Sequence, residues 1–531
     1  MKSLFVLSGL LFLASCGSPE MQISPADLGV QEGIFLRGNG AEPESLDPHL
    51  ATSVSAGNVL INLFEGLTRL HPESLEPEGG MAESWSVSEE GLTVDFFLRE
   101  AFWSDGEPVK AGDFAFAFRR LLNPELGASY AFMLFPILNA REVHQGDLPL
   151  DELGVEAVDD RTLRIQLSEP TPYLFSLLAH WTAFPLPQHV LERFGNESSR
   201  GGEWTRKENI VGNGAFLMEE WRSEDQIRLI RNDHYWQADS VELNGAVFFP
   251  FPDPGSEERA FRAGEIHVSY SLPRHRLLFY QNENPDLLRV DPYLESVAYA
   301  VNIQHPALKD QRVRRALSLA LDRKTITERV LYGVRPPAYT YVPPGTAGFQ
   351  SRTPLTEDAD KARDLLAEAG YPGGEGFPEV VFIYPSSQDS QRVAEFIQQR
   401  WLQELGIRIE IDNLERQTYF SRRRERDFDL CYLGWVGDYI DPLTFLGLWV
   451  SDAGNNLAGW KNESYDQKIL DSARAGASRL EVLADAEAVL LEELPVIPLY
   501  FGATQYLIDP RVKGWEANLL DWHPLRAVSF E

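Results

Sequence analysis

Residues 428–445 read Phe428-Asp429-Leu430-Cys431-Tyr432-Leu433-Gly434-Trp435-Val436-Gly437-Asp438-Tyr439-Ile440-Asp441-Pro442-Leu443-Thr444-Phe445, and they set one carboxylate, Asp438, among aromatic and apolar side chains. The run from Phe428 to Trp435 is short and apolar, as expected of a buried strand, and Gly434 and Gly437 let its backbone approach a neighbour closely. Asp438 then falls just beyond the strand end. Two readings stand for it. A carboxylate held away from water is costly unless a cation or several donors meet it, so a ligand ammonium is one natural partner. The other reading is a turn aspartate ahead of Asp441-Pro442.

Around this stretch lie 531 residues with 44% hydrophobic content, too many for one core, so two or three domains are expected. The formal net charge of −32 excludes nucleic acid and anionic membrane as partners, because phosphates would be repelled. The ten histidines are scattered without the close spacing of a transition-metal site, so no metal and no cofactor is expected. Patterns such as His-Glu-x-x-His, Gly-x-Ser-x-Gly, Cys-x-x-Cys and the phosphate loop are absent from the sequence.

The two cysteines, Cys16 and Cys431, have separate roles. Lys2, the apolar run Leu4 to Leu13 and the small residues Ala14-Ser15 before Cys16 form a signal peptide. Ser18 to Gln31 is polar and carries Pro19 and Pro25, so residues 16–33 are expected to be a tether. Cys431, inside the strand pattern, is expected to be a buried small hydrophobe. No later run approaches the roughly 18 apolar residues of a membrane span.

Further motifs follow in order. Glu44-Ser45-Leu46-Asp47-Pro48-His49 comes after a first strand at Ile34 to Arg37. Then come Leu63-Phe64-Glu65-Gly66-Leu67 and Trp103-Ser104-Asp105-Gly106-Glu107-Pro108-Val109, the latter leading into an amphipathic helix from about Gly112 to Leu122. Asn209-Ile-Val-Gly-Asn-Gly-Ala-Phe216, Asn232-Asp-His-Tyr-Trp236 and a helix over Val313 to Arg323 come next. From Asp358 onward the pattern alternates helix and strand, implying an α/β domain. Tyr173 to His180 reads as a helix, Ile407 to Ile411 as a strand, and Tyr465 to Leu494 as the last helices.

These motifs, their order and the Gly434-Trp435-Val436-Gly437-Asp438-Tyr439 run resemble the oligopeptide-binding proteins, the extracytoplasmic receptors of peptide ABC transporters. Leu13-Ala14-Ser15-Cys16 resembles the bacterial lipobox, which implies acylation of Cys16. The resemblance covers nearly the whole chain from about Ile34. It implies an α/β fold of the class II periplasmic-binding-protein type with three lobes. Residues 34–64, 188–294 and 504–531 would form a discontinuous first domain, 65–187 an inserted second domain and 295–503 a large third one, after a signal peptide at 1–15.

The resemblance also implies the site. Asp438 would pair with a ligand's α-amino group, with Gly434, Trp435 and Val436 beside it. Thr52, Ser53 and Val54 would pair by their backbone with a bound peptide as an added strand. Tyr130 and Tyr293 would face the ligand, and Arg423 would meet its carboxyl end. Tyr432 stands where the best-studied relatives carry another arginine for that carboxyl, so the carboxyl end looks remodelled. Glu295 and Val436 stand where some relatives have a disulfide.

The function implied is a lipid-anchored receptor, expected to be a monomer and not an enzyme, that closes over short peptides and delivers them to a membrane permease. A periplasmic or cell-surface location goes with it. The same fold with a non-peptide ligand, or a sensor role, is the alternative. A hydrolase using Asp438 and Asp441 as paired carboxylates is a further reading from a different class.

Overall fold

The computed structural model describes residues 23–194, 198, 200 and 202–531. The signal peptide, Cys16 and residues 17–22 of the expected tether lie outside them. The quoted stretch forms the strand Leu430–Val436 at the centre of a five-stranded sheet. Its order is Glu410–Leu414, Val381–Pro385, Leu430–Val436, Leu288–Val301, Val496–Leu507. The first three strands run parallel, and the last two pair antiparallel to their neighbours. Helices Ala359–Glu368 and Gln388–Leu405 pack on one face with Phe382 and Tyr384, and helices Arg416–Glu425 and Arg479–Glu493 pack on the other with Ile383 and Cys431, so both faces are covered and the strands read as apolar runs.

A second sheet has the order Ile34–Gly38, Gly245–Phe249, Gln226–Arg231, Phe216–Arg222. A third, fully antiparallel, is drawn from Ala82–Val87, Thr93–Leu98, Thr162–Gln166 and Val155–Asp159. The sequence motifs turn out to hold these sheets together. Asp47 is buried and takes both guanidinium nitrogens of Arg120, at 3.0 and 2.6 Å, with His49 Nδ1 a further 3.0 Å contact of Arg120. That cluster pins the Ser-Leu-Asp-Pro-His segment to helix Ala111–Leu122. Asp113 accepts from the Trp103 indole at 3.2 Å and from the Lys110 amide at 2.9 Å, which caps that helix. Glu65 receives Tyr235 and Trp236 at 2.6 and 2.7 Å, and its backbone exchanges two hydrogen bonds with the Asn213 side chain.

Two strands are longer than the rest. Leu288–Val301 and Val496–Leu507 pair from Leu288↔Leu507 to Ala300↔Val496, with register shifts between Tyr293 and Ser296 and between Val297 and Ala298. Glu295 and Val436 are direct register partners, as an implied cross-link position requires.

The expected tether is corrected over part of its length. Pro25–Glu32 is a helix, not free chain. Ser24 Oγ accepts the Asp27 amide, Pro25 opens the first turn and Gly33 closes the helix at φ 68°. Its inner face carries Ala26 and Gly29, and a Cβ at Gly29 would stand 2.6 Å from the Ile34 carbonyl. His267 fixes the helix to the first strand by donating from Nε2 to the Ala26 carbonyl and accepting the Leu36 amide at Nδ1. Three element ends also move. The helix expected over 313–323 runs Gln311–Leu319, because Asp322 caps a new turn at Arg323–Thr325. The expected 407–411 strand pairs over Glu410–Leu414. The 173–180 segment is a single turn, Leu174–Leu177, followed by Trp181–Ala183.

Candidate functional site

The end of strand Leu430–Val436 meets helix Val54–Leu63, residues 176–181 and a turn at 520–522 around a cavity of about 710 Å3. Asp438, Trp435, Gly434, Val436, Tyr130, Tyr293, Thr52 and Val54 all line it. Burial pushes the Asp438 carboxyl up to about 6, opposed by a hydrogen bond from the Tyr130 phenol. Burial and the neighbouring Asp438 push Tyr130 itself up to about 12. The Tyr130 ring lies 5.4 Å from His180, whose imidazole burial pushes down to about 3, so it is neutral at pH 7. Tyr439 stacks on Tyr173 at 5.0 Å with 12° between the planes. Among the described residues no lysine or arginine lines the cavity.

The close approach read from the glycines has a physical basis at Gly437. Its amide donates to the Leu294 carbonyl at 2.8 Å, and a Cβ there would stand 2.6 Å from Leu294 Cδ2. Asp441 goes elsewhere. It takes Arg479 through both oxygens at 2.7 Å, with both residues buried, and caps the Leu443 amide. The paired-carboxylate reading of Asp438 and Asp441 thus meets an Asp441 already committed to a buried ion pair.

Three expected site residues are placed differently. Ser53 is extended, at φ −93° and ψ 150°, but it is the N-cap of helix Val54–Leu63 and does not line the cavity. The amides of Thr52 and Ser53 already donate to the Glu44 carboxylate, which also accepts both hydroxyls. This segment is thus no free strand edge; a bound peptide would have to displace Glu44. Arg423 lies over Tyr419 and Phe420, at 6.0 and 5.2 Å, beside a separate surface cleft with Arg424 and Asn455. Tyr432 is packed behind the cavity wall, where burial, Tyr500 and Glu295 hold its phenol against ionisation. Glu295 is engaged by Arg335 at 3.0 Å.

Comparison with known proteins places this geometry. The model described as "Bacterial extracellular solute-binding proteins, family 5 Middle" matches residues 76–456. The chain belongs to the family 5 bacterial extracellular solute-binding proteins. The periplasmic oligopeptide-binding protein OppA of Salmonella typhimurium is 34% identical over 97% of this chain and 95% of its own. The structure titled MppA periplasmic murein tripeptide binding protein, unliganded open form, matches with a TM-score of 0.83 at 32% identity, over 94% of this chain and 98% of that one. Haemophilus influenzae OppA in complex with RPPGFSPFR matches at 0.76 and 31%, over 94% and 99%. The fold is therefore the class II periplasmic-binding-protein type.

In this family 5 protein the sequence reading missed part of the cavity wall. Tyr439, His180 and the run Leu520-Asp521-Trp522 all line it. Tyr439 was signalled by its place beside Asp438. The C-terminal run carries no local signal: it reaches the cavity because the Asn518 side chain folds the turn, accepting the Leu520 and Trp522 amides and donating to the Pro72 and Trp522 carbonyls.

Proposed function

We propose that this protein is an extracytoplasmic peptide receptor, lipid-anchored through Cys16, that captures short peptides by their amino end and delivers them to an ABC permease. The observation that carries the reading is Asp438. It is a carboxylate in a roomy, largely aromatic cavity, destabilised by burial, with one neutral donor and no cation shaping its ionisation. A ligand α-ammonium supplies the missing partner and forms a charge-assisted hydrogen bond. The indole N–H groups of the lining residues Trp435 and Trp522 are buried with no acceptor among the described residues, and peptide carbonyls are suitable partners for them.

The reading divides the chain into residues 34–64, 188–294 and 504–531, an inserted 65–187 and a third domain 295–503, with the ligand between the first and third. The long strands Leu288–Val301 and Val496–Leu507 would cross between these lobes, and their register shifts give the ladder room to bend as the lobes close. The protein acts as a monomer and performs no chemistry on the ligand. Relatives named for oligopeptides support the ligand class, while relatives named for murein peptide and for deoxycholate carry the alternative of another ligand on the same fold.

Native mass spectrometry of the mature protein, followed by denaturing release, tests this. Short peptides with free amino ends are the expected cargo. A single non-peptide species, together with no stabilisation by any peptide, would overturn the reading in favour of another ligand on the same fold.

A further inference from the structure

Tyr439 follows Asp438 in the cavity wall, and its ring packs outside the part of the chain that carries it. The largest hydrophobic core is drawn from residues 35–268 and 506–528. Among the described residues, Tyr439 is the one hydrophobic side chain from 295–503 that packs against that core. Tyr173, from the 65–187 segment, receives it: the two rings stack at 5.0 Å and 12°. Tyr173 itself does not line the cavity.

Tyr173 is held from its other side as well. The Arg479 guanidinium lies 5.7 Å from its ring centroid, within reach of a cation–π contact. Arg479 is also the partner of Asp441, so one guanidinium serves both the Tyr173 ring and the buried carboxylate two residues beyond Tyr439. The backbone between these groups is pinned at two points. Upstream of Asp438 the Gly437 amide donates to the Leu294 carbonyl at 2.8 Å, and downstream the Tyr439 carbonyl accepts the Asp441 amide at 2.9 Å. Asp438 is suspended between them, and the downstream point leans on a ring from the 65–187 segment.

We propose that Tyr173 is a positioning residue for the amino-end site: by stacking on Tyr439 it fixes the backbone that carries Asp438 and ties the placement of that carboxylate to the approach of the lobes. The proposal rests on the peptide reading above and names a residue that acts through Tyr439 rather than on the ligand. With the lobes together, Tyr173 walls the Tyr439 ring. With them apart that wall is lost, and the Asp438 backbone gains freedom. A ligand ammonium that selects the placed carboxylate therefore favours the stacked arrangement, and by linkage the stack raises affinity for the ammonium.

The test is calorimetric titration of the full mature protein with trialanine and N-acetyl-trialanine, in the native chain, Tyr173→Phe and Tyr173→Leu. Tyr173→Phe keeps the ring and should bind trialanine like the native protein. Tyr173→Leu keeps apolar volume without the stack, and should bind it about three- to tenfold more weakly. The advantage of trialanine over its N-acetyl form should shrink by the same factor, whereas a purely structural loss would weaken both peptides alike. Native affinity in Tyr173→Leu, or a loss that leaves the amine advantage unchanged, overturns the proposal. A second measurement needs no variant to fold. In the native chain, hydrogen exchange of the 173–175 amides, which lie outside the cavity wall, should slow on saturation with trialanine together with that at 438–441. Exchange at 173–175 that ignores the ligand overturns the proposal. Each of these failures leaves the peptide reading standing, whereas a native protein that binds neither peptide overturns both.

Discussion

Asp438 and Asp441 are three residues apart and opposite in character, and the difference is one of partners. Asp438 sits above the ordinary carboxylate value of 3.8, at about 6, because burial disfavours its charge. The native state therefore keeps this proton to higher pH than the unfolded chain does. Its contribution to stability is present below about pH 3.8 and is lost as pH rises through 6. At pH 7 the ionised group weakens the fold by about 2–3 kcal/mol, so Asp438→Asn should raise the unfolding midpoint in urea while weakening binding of free-amine peptides by one to several kcal/mol. Affinity of the native protein for those peptides should fall as pH drops below about 6, and N-acetylated peptides should bind poorly throughout. Unchanged affinity in the variant would remove the amine-pairing role. Asp441→Asn should do the reverse, costing about 3 kcal/mol of stability in the same urea titration by stranding Arg479 in the core. At this scale the sequence made Asp438 legible through its aromatic setting, but could not separate it from a turn aspartate, since that depends on Arg479 pairing with Asp441 instead.

Elements were legible where periodicity and punctuation agree. The strand Leu430–Val436 and helices Ala111–Leu122 and Gln388–Leu405 follow from apolar spacing and caps written within them. Pro25–Glu32 was missed although Ser24, Pro25 and Gly33 spell its limits, because its narrow buried face of Ala26 and Gly29 lacks large apolar residues. What fixes it, His267, is 241 residues away from Ala26. The glycine reading at the strand end carries its own prediction. In Gly437→Ala the new methyl would press on Leu294, where a long paired strand leaves little room to yield, so a loss of about 1–3 kcal/mol is expected in thermal unfolding. A variant as stable as the native protein would show that this contact relaxes freely.

Across the whole molecule the order of motifs carried the fold, because each motif meets another: Asp47 finds Arg120, and Glu65 finds Tyr235 and Asn213. The cavity was less legible, since its wall gathers Thr52, Tyr130, His180, Asp438 and Asp521 from five distant segments. Closure of lobes over a peptide should appear in small-angle scattering as a smaller radius of gyration at saturating ligand, and Asp438→Asn should show no such change at the same concentration. An identical scattering curve with and without bound peptide would argue against hinge closure. The one cysteine among the described residues adds a use of a different kind. Cys431 is fully buried in the middle of the five-stranded sheet, and burial pushes its thiol up to about 12. In a chain whose Cys16 is replaced by serine, a thiol-reactive dye can then reach sulfur only when that sheet comes apart, so the labelling rate becomes a clock for opening of the large core.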